Sequence, residues 1–116
     1  MTSPAPPLQL GREQAERLLQ YMQEYRRSAL TSMPPTNERN TTLRQVQTLQ
    51  GKLLVQLDRA QPQIQLVLGT EDVTALIVMI KSLLLLYAEK PDSLDRRTTV
   101  TDIGKLYAYL KQTYKR

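Results

Sequence analysis

An all-α fold is the expectation, an up-and-down bundle of four principal helices, and three observations carry it. Apolar residues recur at steps of three and four through four separate segments. Proline stands close to the place where each of the first three segments must end. The 116 residues are 41% apolar, with 20 leucines among them, which supplies one core of domain size.

Residues 1–10 contain Pro4, Pro6 and Pro7, which no helix interior accepts, and are expected to form a loose, solvated tail. Residues 11–116 then make up a single helical domain. The first helix is expected over about 13–33, where Ala15, Leu18, Met22, Tyr25, Ala29 and Met33 form an apolar stripe. Glu16, Gln20, Glu24 and Arg27 face the other way, and Pro34 and Pro35 stop the helix. The second spans about 38–60, capped by Thr36 or Asn37, with Leu43, Val46, Leu49, Leu53, Leu57 and Ala60 on one face. Gln50 falls within that face and is expected to find a hydrogen-bond partner across the bundle.

The next segment reads two ways. Ile64, Leu66 and Leu68 alternate as in a strand, while Ile64 and Leu68 also prolong the stripe of the second helix. A lone strand has nothing to pair with, so a short extra helix near 62–68 is expected, opened by Pro62 and closed by Gly69. Thr70, Glu71 and Asp72 then mark the start of a third helix over about 71–90, which ends at Pro91. A charged connection, 92–98, leads to a fourth over about 99–115. Thr99 with Asp102 resembles a capping box for it, and Val100, Ile103, Tyr107, Leu110 and Tyr114 form its stripe.

Composition excludes more chemistry than it suggests. Without Cys or His the chain has no thiolate, no disulfide, no zinc finger and none of the commonest general bases. The four glycines, Gly11, Gly51, Gly69 and Gly104, are scattered, so no phosphate-binding or dinucleotide loop can be built from them. The close carboxylate pairs, Glu71 with Asp72 and Asp92 with Asp95, sit where capping explains them. No catalytic residue, metal ligand or cofactor is therefore expected, and the chain does not read as an enzyme.

The third helix is the most informative stretch. Val73–Ala88 is 16 residues long with Lys81 near its middle, short of the roughly 20 that span a bilayer, so membrane insertion is not expected. One face of it, from Val73 to Tyr87, suffices for a four-helix core. Val78 and Leu85, seven positions apart, together with Met79 and Leu86, are surplus to that face. An apolar surplus of this kind marks a surface that meets another chain, in the first instance a second copy of this one.

Charge gives the alternative. The net charge is +5, and residues 92–116 carry +3 of it, from six cations against three carboxylates. Arg96, Arg97, Lys105, Lys111, Lys115 and Arg116 are interleaved with Tyr107, Tyr109 and Tyr114, a pattern that could contact phosphates and stack bases. The opening residues MTSPAPPLQL show neither a basic region nor an apolar run for export, which leaves a cytoplasmic location as the expectation. The leading reading is a non-enzymatic interaction, regulatory or adaptor module that self-associates as a homodimer through the third helix. The alternative is a small basic nucleic-acid-binding protein that uses the fourth.

Overall fold

Each helix begins where a side-chain oxygen accepts from a backbone N–H at or just before its first turn. The computed structural model describes residues 6–114 and places α1 at Arg12–Ser32, α2 at Asn37–Asp58, α3 at Thr70–Ala88 and α4 at Leu94–Tyr114. In α1 the Gly11 N–H donates to Gln14 Oε1 at 3.2 Å, and in α3 the Gly69 N–H donates to Asp72 Oδ2 at 2.9 Å. Thr36 caps α2, its Oγ1 accepting from the Arg39 N–H at 3.1 Å, as its position ahead of the helix leads one to expect. The four-helix, all-α reading holds.

Two arginines close the opposite ends of the α1–α2 pair. Arg39, in the first turn of α2, donates to the Ala29 and Met33 carbonyls at 3.1 Å each, at the end of α1. Arg12, the first residue of α1, donates to the Leu57, Arg59 and Gln61 carbonyls at the end of α2. Each guanidinium meets carbonyls in or just beyond the last turn of the neighbouring helix, where a helix end leaves acceptors short of partners. The start of each helix thus lies beside the end of the other, and the pair is antiparallel.

Four expectations need correction. Residues 62–68 do not form a helix: Gln63–Leu66 is a strand, β2, and its partner is β1, Leu8–Gly11. The partner that a lone strand lacks comes from the segment expected to be a free tail. Leu8 stands opposite Leu66 and Leu10 opposite Ile64, all four are buried, and Gln9 and Gln65 between them face solvent. Once those leucines can be covered, the alternation of two outweighs the helical reading of Ile64 and Leu68. Of the remaining tail, Pro6 is exposed and Pro7 half-buried, while residues 1–5 lie outside the described residues.

The third correction is the start of α4, which lies at Leu94 rather than 99. Ser93 opens it, with Oγ accepting from the Arg96 N–H at 3.1 Å and its carbonyl accepting from the Arg97 N–H at 3.1 Å. Thr99 and Asp102 are interior to the helix, and Asp102 turns to α1 instead of capping. The Gln50 side chain, for its part, is half-buried and makes no hydrogen bond among the described residues, and it reaches solvent without crossing the bundle.

The core fills the space between α1, α2 and α3, closed on one side by the inner face of the sheet. Helix α4 packs mainly on α3 and buries only Ile103 and Leu110 completely. Its link to α1 is polar, through Asp102. The bundle is thus three tightly packed helices with a fourth laid along the third.

Candidate interaction surfaces

The four residues of the expected α3 interface do not share one environment. Met79 is wholly buried in the chain's own core and offers nothing to a partner, which removes it from the surface. Leu86 is half-buried against that core. Val78 is half-buried at a groove that it lines with Ser82 from α3, Tyr25 from α1, Met33 and Pro34 at the α1–α2 corner, and Arg39 from α2. Leu85 stands 71% exposed. Val78, Ser82 and Leu85 are spaced at four and three positions and therefore lie on one strip of the helix. Ser82 is small, so that a second helix could come close between the two apolar residues.

The basic residues of α4 are largely occupied. Arg97 makes two bonds to the Asp92 carboxylate, at 2.9 and 2.6 Å, and Arg96 reaches the same carboxylate at 3.6 Å. The paired Arg97 holds Asp92 below the usual carboxylate range. Arg96 also donates through Nε to the Tyr87 carbonyl at 2.7 Å, which closes the end of α3. The Lys111 ammonium lies 5.8 Å from the centre of the Tyr107 ring, within cation–π range. Lys105 is exposed, and Lys115 and Arg116 fall outside the described residues.

The tyrosines expected to stack bases are engaged in holding the fold. The Tyr109 hydroxyl donates to the Gln9 carbonyl at 3.0 Å and accepts from the Gln9 N–H at 3.3 Å, and Tyr114 donates to the Pro6 carbonyl at 3.0 Å. Tyr107 is half-buried. The sequence carried no signal for this, since nothing in it sets Tyr109 beside Gln9, a hundred residues away.

Two polar clusters tie helices together. In one, a single Asp102 oxygen accepts from Arg17 Nε at 3.0 Å and from the Tyr21 hydroxyl. Burial first and that carboxylate second push the Tyr21 phenol well above its ordinary range, while the same carboxylate raises the Arg17 guanidinium. In the other, the Tyr87 hydroxyl donates to Glu24 Oε2 at 2.7 Å, and Lys90 sits 3.4 Å from Glu24 Oε1 and 4.3 Å from the centre of the Tyr87 ring. Burial, with the Glu24 bond second, moves Tyr87 up to about 12. Asp102 borders a shallow cleft with Arg97, Thr98, Thr101 and Lys105, and Tyr87 and Lys90 border another with Ser93, Asp95, Arg96 and Thr99. Among the described residues no group of three or more Asp or Glu could hold a metal ion, and no helix is long and apolar enough to cross a membrane.

Both phenols predict alkaline lability. A raised folded-state value means that the folded chain holds its phenolic protons more tightly than the unfolded one. The stability they contribute is complete below the ordinary tyrosine value of 10.0 and falls as pH rises through about 12, where Tyr87 titrates. Urea melts between pH 8 and 12 should show this loss above pH 10, and a Tyr21→Phe, Tyr87→Phe double variant should show a shallower one. Identical slopes for the two chains would disprove the assignment.

Comparison with protein-family models, with curated proteins and with solved structures finds no match to this chain. The functional reading therefore rests on its own surfaces.

Proposed function

We propose that this chain is a non-enzymatic helical interaction module that self-associates through α3, along the strip Val78–Ser82–Leu85. The observation that supports this reading is the 71% exposure of Leu85 on a helix whose other large apolar residues are buried or half-buried. An exposed leucine in line with Val78 and beside an open groove gains by being covered, and a two-fold pairing of α3 with its own copy covers both strips at once. The basic α4 is less suited to an acidic polymer, because Asp92 already engages two of its arginines, the Tyr109 hydroxyl bonds to Gln9 of the first strand and the Tyr114 hydroxyl to Pro6 ahead of it.

Sedimentation equilibrium at micromolar concentration is expected to report a dimer. Leu85→Glu should convert it to a monomer while changing the stability of the monomer by no more than about 0.5 kcal/mol, as for other exposed positions. A wild-type monomer, or a dimer that survives Leu85→Glu, would rule out this surface.

A further inference from the structure

A sheet of two strands has two outer edges, and in this chain only one of them is sealed. The Arg12 N–H bonds the Pro62 carbonyl at 3.2 Å, and Leu10 and Leu8 continue that register opposite Ile64 and Leu66. These even-numbered residues therefore direct their N–H and C=O groups across the sheet, and the odd-numbered ones direct theirs away from it. On β1 both outward groups of Gln9 meet the Tyr109 hydroxyl. On β2 the outward groups of Gln63 and Gln65 have no hydrogen-bond partner among the described residues. Edge strands are usually protected by charge, by an interior proline or by a bulge, yet no charged residue occurs from Ala60 to Thr70.

Beside this edge runs a groove whose other wall is α2. It is lined by Lys52, Val55, Gln56, Gln65, Leu66 and Val67. Val55 is 56% exposed and Val67 75%, so the groove joins open backbone groups to uncovered aliphatic surface. We propose that it accepts a third strand, supplied by an extended segment of a partner protein that carries an aliphatic side chain and, two residues on, an acidic one. Main-chain bonds to Gln63 and Gln65 would supply the affinity, and alternate side chains facing α2 the specificity. The aliphatic group covers Val55. The acidic group answers Lys52, the only charged residue lining the groove, in a chain of net charge +5. This surface is separate from the α3 strip and does not depend on it.

The test is titration of the full chain with the blocked peptide acetyl-Thr-Val-Thr-Glu-Thr-amide, followed by amide chemical shifts and calorimetry. Saturable binding is expected, with the largest shifts at Val55, Gln63, Gln65 and Val67. N-methylation of alternate peptide amides should weaken binding tenfold or more in one phase and little in the other, because a docked strand turns only every second N–H towards the edge. Lys52→Glu should lower the affinity at least fivefold and reverse the preference between this peptide and its lysine counterpart, and Leu85→Glu should leave binding unchanged. Absence of saturable binding, or equal effects of the two methylation phases, would overturn the proposal. So would a dimer of the free chain that dissociates on Gln65→Pro, a substitution that removes an outward N–H and no bond within the chain; the occupant would then be a second copy.

Discussion

Replacing Leu8 by alanine is expected to destabilise the fold by about 2–5 kcal/mol, and Leu10→Ala to do so to a similar extent, the usual range for a buried leucine. Both side chains are buried, and both belong to the strand that gives β2 its partner. The loss therefore has two parts, a cavity under the sheet and a weaker hold on the strand whose Ile64 and Leu66 close the same core. Since the two leucines share neighbours, the double variant should not show the sum of the single effects. Pro6→Ala, one residue from the strand and exposed, should stay within about 0.5 kcal/mol. Urea denaturation of the four variants measures this directly. Losses below about 1 kcal/mol for both leucines would mean that the segment is the loose tail its prolines suggest.

That contrast shows which features the sequence makes legible. A helix is a local object: the stripe Ala15, Leu18, Met22, Tyr25, Ala29 can be read without knowing what covers it, and the stops of α1 before Pro34 and of α3 before Pro91 are equally local. A strand is legible only together with its partner. Gln63–Leu66 has the alternation, but Leu8–Gly11 lies more than fifty positions away behind three prolines, so the competing helical reading prevails in the sequence alone. The start of α4 fails for a different reason. Ser93 and Thr99 are both capable of capping, and Asp102 gives Thr99 the spacing of a capping box, whereas in the fold Asp102 is drawn to Arg17 and Tyr21 on α1. Surface function is less legible still. Seven positions separate Val78 from Leu85, which the sequence shows, and Asp92 stands only five from Arg97, but the bond that occupies Tyr109 depends on a group that folding brings to it from the other end of the chain.

The sharpest separation between core and surface lies within α3, at residues the sequence cannot tell apart. Successive residues of a helix are turned by about 100°, so Met79 lies on a different strip from Val78, and on a helix that is apolar nearly all round either strip could be the covered one. The fold buries Met79 and leaves Leu85 in solvent. Met79→Glu should therefore cost on the order of 4 kcal/mol or more, since no cation stands ready for a carboxylate at that depth and the variant must either protonate it or unfold around it. Met79→Leu, which keeps the volume, should cost less than about 1.5 kcal/mol. Leu85→Glu should spare the monomer and act on association alone. Thermal melts below the dissociation constant of the proposed dimer, set beside sedimentation of the same variants, distinguish the two positions. If Met79→Glu kept its melting temperature and lost only the dimer, α3 would have to sit turned by one residue from the orientation described, with Met79 facing the partner and Val78 packed inside.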